Sequence, residues 1–192
     1  MNYRWKINSS RHILKDKWIS VRADSCTLPG GVNIGPYYIL EYPDWVNVVA
    51  VTPDNEVIFT KQYRHAIKRS VLEIPCGAVE LSDKTPIAAA RRELLEETGY
   101  TAKRLIKLCR LSPNPATHNN ITHCFIAIDA KKEKRQSLDQ TEIIDVIKIP
   151  LSDVVSLLKK NKIKQTLHVS ALFYALEYLK NSRVSQQKPC RP

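Results

Sequence analysis

"AAARRELLEETGY", residues 88 to 100, brings Glu93, Glu96 and Glu97 to the end of a helix that a glycine then stops. Thr85 is a good N-cap, Pro86 suits the first helical position, and alanines 88 to 90 propagate the helix at little cost. Gly99 supplies the left-handed residue that ends it. The carboxylates are out of place by ordinary helix chemistry. Each faces the negative end of the helix dipole, an unfavourable effect of roughly 0.3–1 kcal/mol when exposed. Glu93 and Glu97 also form a like-charged i,i+4 pair, and Arg92 can offset only part of this by pairing with Glu96. The i, i+3, i+4 spacing puts all three carboxylates on one face. A hard divalent cation would turn their repulsion into coordination. A solvated acidic face is the competing reading.

The whole chain narrows the choice. Its 192 residues suit one domain with a small extra subdomain, and 43% hydrophobic with 26% charged residues is the composition of a soluble globular protein. Apolar runs such as "VVAV" (48–51) are too short to span a bilayer, and the start "MNYRWKINSSRH" has no apolar signal region. Five cysteines, odd in number and without a CxxC, read as reduced thiols of a cytoplasmic protein. The net charge of +11 favours an anionic partner. The basic residues are scattered, however, densest in "KKEKR" (131–135) and "KKNKIK" (159–164), with no interleaved aromatics. That pattern argues for a nucleotide over a nucleic acid or a membrane.

Residues 3–42 read as short strands and turns, with "PGG" (29–31) as a turn between "WISVRADSCTL" and "YYILEY". "VNVVAV" and "EVIFTKQYR" form a hairpin around "TPDNE", and "VLEIP" is a further strand. "CGAVELSDK" is a loop leading into the acidic helix at 86–98. Strands follow at "LIKLCRL", "ITHCFIAIDA" and "IIDVIKIP", separated by the loop "SPNPATHNN" and the basic loop "KKEKRQSLDQT". Ser152 caps a helix to about 160, and Thr166 opens another through about 180. The expected fold is α+β: a mixed sheet between helices, an α/β/α sandwich. The division is a β-rich N-terminal subdomain (1–42), a main domain (43–180) and a disordered tail (181–192).

Residues 77–100 resemble the Nudix hydrolase box, G-x5-E-x7-R-E-U-x-E-E-x-G-U, with U aliphatic. The second half, Arg92 to Tyr100, fits throughout, allowing an aromatic at the last U. The first half carries one extra residue: counting on from Gly77 reaches Asp83, counting back from Arg92 reaches Lys84. Asp83 can serve in place of the usual glutamate, whereas a protonated Lys84 cannot hold a metal. "QYRHA" followed by "LEIPCG" is similar to the ADP-ribose pyrophosphatase branch, and so is the β-rich N-terminal segment. The resemblance spans residues 3 to about 180, weakly at the ends. It implies the Nudix fold, and an N-terminal subdomain that forms a homodimer and contributes to the partner's substrate site.

The resemblance also implies roles. Glu93 and Glu97, with Glu96 beside them, hold magnesium or in its place manganese, and the carbonyl of Gly77 or Cys76 completes the shell. Arg92 orients these carboxylates, and Cys76 is otherwise a small packed residue. Arg64 and Glu73 match substrate-contacting positions, with a plain salt bridge as the alternative. Trp45, Trp18 and Tyr37 are candidate stacking surfaces for a base, or core aromatics. His118 and His123 are candidate metal ligands, or polar packing in a loop that tunes specificity. The catalytic base comes from "LDQTEIID", as Asp139 or Glu142, with Glu142 the expected residue. The implied activity is magnesium-dependent hydrolysis of a nucleoside diphosphate linked to another moiety, first ADP-ribose or a related ADP-sugar. A GDP-mannose-type hydrolase is the second reading. The third is a Nudix-fold ligand sensor or RNA-binding module that has lost catalysis.

Overall fold

The structure, a computed structural model, describes residues 3–186. Contacts divide the described residues into two compact units, one running up to residue 43 with 112–121 added, the other 44–111 with the residues from 122 onward.

The smaller unit is an antiparallel meander of β1 (Lys6–Lys15), β2 (Ser20–Thr27) and β3 (Asn33–Glu41). At ten, eight and nine residues these strands are longer than the short strands expected, because each is paired along most of its length. Arg22 ties the sheet together, with Nε 2.9 Å from Asp24 and an amino group 2.5 Å from Glu41. The loop 112–121 belongs to this unit. The Tyr37 hydroxyl donates to the Ala116 carbonyl, Tyr42 stacks on His118 at 5.4 Å, and Asn120 Nδ2 donates to the Pro43 carbonyl at 2.9 Å. Nothing in the local composition of this loop announced that allegiance.

The larger unit has β4 (Trp45–Val51), β5 (Glu56–Arg64), β6 (Arg69–Glu73) and β7 (Cys76–Ala78), then α1 (Pro86–Thr98) and β8 (Tyr100–Thr101). There follow β9 (Arg104–Leu111), β10 (Thr122–Ile128), β11 (Lys131–Lys132), β12 (Ile144–Pro150), α2 (Leu151–Lys159) and α3 (Thr166–Gln186). The sheet order is β12-β5-β4-β10-β9, with β6 on β5 and β7 on β4. Among the described residues, only the β4–β10 strand pair of this sheet is parallel, so the sheet is mixed, as expected. β4 reads as a near-continuous apolar run because it is covered on both faces. Val46, Val48 and Ala50 pack with Ala89, Ala90 and Leu94 of α1, while Val49 and Val51 pack with Ala171, Leu172 and Ala175 of α3. Each such large side chain contributes roughly 1.5–3 kcal/mol when fully buried. This is the α/β/α sandwich of the sequence reading. Among the described residues, no helix is long and apolar enough to cross a membrane.

Three boundaries differ from the sequence expectation. The first residues of "CGAVELSDK" are not loop but β7, paired with β4 from Trp45–Ala78 to Asn47–Cys76. Ser152 does not cap α2: the cap position is Pro150, in extended backbone at the end of β12, with no side-chain cap. α3 continues past 180 to Gln186, so its end lies within the segment expected as tail; 187–192 lie outside the described residues.

Candidate active site

The local structure of α1 is the one its residues dictate. Thr85 is extended, its Oγ accepting from the Ala88 N–H at 3.3 Å, and Gly99 ends the helix with φ 75° while donating to the Leu95 carbonyl. The basic loop after β11 relieves the carbonyl end. Ser137 N–H donates to the Glu96 carbonyl, Gln136 Nε2 to the Glu97 carbonyl, and Glu133 N–H to the Gly99 carbonyl, at 2.7–2.9 Å. The basic loop is therefore the C-terminal cap of the acidic helix. Those donors satisfy orphan carbonyls and lower the penalty on the nearby carboxylates.

Arg92 organises the carboxylates. It grips Asp83 with two nitrogens at 2.8 and 3.2 Å and donates to the Ala78 carbonyl at 2.9 Å. Its remaining amino group reaches Glu93 at 2.9 Å and Glu96 at 3.0 Å. The guanidinium beside these acids is held well above its usual range, first by the Asp83 hydrogen bonds and against the effect of burial. Asp83 is thus the anchor of Arg92, and its own carboxyl is lowered by that pairing. Lys84 is exposed. The extra residue in the loop leaves Asp83, not Lys84, against Arg92.

Glu97 is buried and accepts from the Cys76 N–H at 3.1 Å, and burial pushes its carboxyl well above the usual range. Burial likewise pushes Glu93 up to about 7, against the lowering effect of Arg92. Burial first, then Glu97, raises the Cys76 thiol, so it stays protonated, a packed residue and not a nucleophile. Gly77 lies against Glu93: a methyl group there would occupy the space of the Glu93 carboxylate. Gly77→Ala should therefore displace Glu93 and lower turnover by roughly 10–100-fold, the scale of an ångström-sized misplacement. The clash is with the end of a flexible side chain, so the thermal midpoint should stay near wild type. Wild-type turnover in the variant would show that Glu93 needs no such seat.

A divalent cation suits this donor set. The ligands on offer are carboxylate and carbonyl oxygens, the chemistry of a hard ion, and burial disfavours the ionised forms of Glu93 and Glu97 that a bound cation would favour. Among the described residues, no three acidic, histidine or cysteine side chains already stand gathered around one point. Arg92 is the cation that Glu93 and Glu96 share.

Glu97, Cys76 and Gly77 border a cleft of about 570 Å³, within the range of small-molecule sites. The cleft exists because β4 and β5 pair only at Ala50–Ile58 and Val51–Val57, then part, β4 to β7 and β5 to β6. Trp45, Arg64, Glu73, Gly77, Glu97 and Glu142 all line it. Glu96, 40% exposed in its side chain, and Glu93 lie outside the lining. Glu73 is buried and accepts from Arg64 at 2.7 and 3.0 Å and from Gln62 at 2.9 Å, so Glu73 and Arg64 form an ion pair, and both line the cleft. Of the two candidates in the later loop, Glu142 reaches the cleft and Asp139 does not. Asp139 steadies its neighbour instead, its N–H donating to the Glu142 carboxylate at 3.2 Å.

The other candidates sit elsewhere. Trp18, 75% exposed, and Tyr37 belong to the N-terminal unit. His123 pairs with Asp44 at 2.8 Å, and His118 is bonded to Thr117 and stacked on Tyr42, so both follow the polar-packing reading. Sequence reasoning missed Gln62, Gln136, Asn47 and His168. Asn47 was signalled by its polarity inside the apolar run "VNVVAV", and His168 by its place in the apolar stretch of α3.

Taken with the fold, this site defines a class. The NUDIX domain family matches residues 41–170, and the chain belongs to that family. The nucleoside diphosphate sugar hydrolase N-terminal domain matches residues 5–40. Among its relatives, the ADP-ribose pyrophosphatase of Bacillus subtilis (strain 168) is 33% identical over 176 residues, 91% of each chain. The methanol dehydrogenase activator of Bacillus methanolicus is 30% identical over 170 residues, 88% of this chain and 91% of that one. A crystal structure of an ADP compounds hydrolase superposes with a TM-score of 0.83 at 24% identity, covering 93% of this chain and 96% of that chain, a likeness of fold.

Proposed function

We propose that the protein hydrolyses the pyrophosphate of a nucleoside diphosphate joined to a sugar, with ADP-ribose or another ADP-sugar as the first substrate class. The observation that carries this is the acidic helix end, where Arg92 and the Cys76 N–H hold Glu93 and Glu97 in fixed places beside a cleft that Arg64 and Glu142 also border. The names of the relatives support the nucleotide-sugar class.

Glu93, Glu96 and Glu97, with the Gly77 carbonyl, would hold magnesium, or manganese in its place. When bound, such an ion neutralises phosphate charge and makes water a stronger acid. The chain's own groups do the rest. Arg64, braced by Glu73, donates to phosphate oxygens as a planar guanidinium does best. Glu142 accepts a proton from the water that attacks one phosphorus. The bond from that phosphorus to the bridging oxygen breaks, giving a nucleoside monophosphate and a sugar phosphate. Trp45 offers a flat surface to a base.

A panel of ADP-, GDP- and UDP-linked sugars, assayed with magnesium, tests the substrate class. Cleavage fastest for ADP-sugars supports it; a GDP-mannose preference would move the protein to the alternative specificity.

The N-terminal unit carries a second part of this reading. β1 is exposed along its length and shows Ile7, Ile13 and Leu14 to solvent, an apolar edge of the kind a two-fold partner covers. We infer from this edge a homodimer, with the nucleotide as its small-molecule partner, and place it in the cytoplasm as part of the same proposal. Deleting residues 1–42 removes Tyr37, Leu40 and Tyr42, which hold the loop 112–121. The deletion should give a monomer by light scattering, with lowered stability and no specific nucleotide binding. A full-length monomer at micromolar concentration would contradict the shared site.

A further inference from the structure

The lining of the cleft does not stop at the acidic helix. It also takes in Lys164 and Gln165, just before α3, and Leu167 and His168 in its first turn. The Gln165 side chain accepts from the Leu167 N–H, and its carbonyl accepts from the His168 and Val169 N–H groups at 3.1 Å, which fixes the first turn. His168 is 1% exposed, and its Nδ1 has no hydrogen-bond partner. On the sheet side, Asn47 is 3% exposed with Nδ2 also unpartnered, the weak sulfur acceptor of Cys124 standing beside it. Both residues line the same cleft.

Two buried polar atoms left unsatisfied in one cleft are unfavourable for folding, and an apolar side chain at either place would remove that cost. The residues that continue the His168 stripe along α3, Ala171, Leu172 and Ala175, are indeed apolar and buried. We propose that His168 and Asn47 form a hydroxyl-recognising subsite for the sugar half of the substrate; this rests on the hydrolase reading above. The chemistry selects a sugar over a phosphate. Burial, with the charge of Arg64 adding to it, pushes His168 down to about 3, so the ring is neutral and offers one donor and one acceptor. A hydroxyl has the complementary pair, whereas a phosphate oxygen only accepts. Ile67, Val71 and Leu167 are among the aliphatic residues of the lining, and Trp45 is the large aromatic among the described lining residues, so the test below separates sugar from base.

The test uses the full-length protein with magnesium and three substrates: ADP-ribose, the methyl ester of ADP, which keeps the adenylate and lacks the sugar, and inosine diphosphate ribose, which changes the base alone. His168→Leu should lower the ratio of kcat/KM for ADP-ribose over methyl ADP by at least about tenfold, since a site built to bond hydroxyls discriminates strongly. His168→Asn, whose amide reaches the level of Nδ1, should keep most of that ratio. The thermal midpoint of His168→Leu should not fall, because no partnered hydrogen bond at Nδ1 is lost. If the leucine variant fails to fold, Asn47→Ala should lower the same ratio. An unchanged ratio in folded variants overturns the subsite and leaves the hydrolase reading standing. A change that follows the base, between ADP-ribose and inosine diphosphate ribose, assigns the pair to base recognition and overturns it too. Wild-type protein that cleaves none of the three overturns the hydrolase reading and the subsite with it.

Discussion

Replacing Glu97 by glutamine is expected to lower turnover on ADP-ribose by at least about 100-fold, the scale seen when a charge-stabilising group in an active site is lost. Glu93→Gln should do the same. Both carboxylates are isosteric with the amide, and the Cys76 N–H can still donate to the amide oxygen at position 97. The fold therefore has little reason to suffer. The sign of the stability change is informative. Burial raises the Glu97 carboxyl, so its ionised form is disfavoured in the metal-free native state. A neutral amide removes that penalty, and the variant should unfold at the same temperature as the wild type or higher. Loss of activity together with unchanged or raised stability marks a residue retained for chemistry. Loss of both would make Glu97 a structural element of the helix end, and full activity in both variants would remove these glutamates from the reaction.

The second large effect is on folding. Gly99→Ala should destabilise the protein by about 2–4 kcal/mol, in the range of backbone-strain mutations. The residue sits at φ 75°, and a methyl group there would run into the backbone carbonyl of Lys134. That carbonyl cannot swing aside as a side chain can, because its segment is hydrogen-bonded to Gly99 and Glu96. For a chain of this size the thermal midpoint should fall by roughly 5–10 °C. The loop 133–142 leads to Glu142, so turnover should fall as well. A midpoint within a degree of wild type would mean that the loop caps α1 more loosely than its hydrogen bonds indicate.

The acidic helix was legible because everything that makes it lies within fifteen or so residues: a capping threonine, a proline at its first position, alanines, and a glycine that must take a left-handed conformation. The central strands were legible for the same local reason, their uninterrupted apolar runs. What the chain did not disclose depends on distant partners. Asp83 could be counted into the loop, but its engagement with Arg92 requires the loop to fold back over the helix. The loop 112–121 looks like any proline-containing connection, and only Tyr37, Leu40 and Tyr42 give it a place. The basic loop after β11 carries so many lysines that charge hid the backbone donors by which it caps α1. That Glu142 and not Asp139 lines the cleft depends on a single turn, which the sequence does not disclose.

The central claim is hydrolysis of a nucleotide sugar at this acidic helix. It is tested most directly by resolving the products of ADP-ribose incubated with the purified protein, with magnesium and with a chelator. The expected result is AMP and ribose 5-phosphate in equal amounts with magnesium and unreacted ADP-ribose in the chelator. No cleavage with magnesium, or equal cleavage in the chelator, would contradict the account.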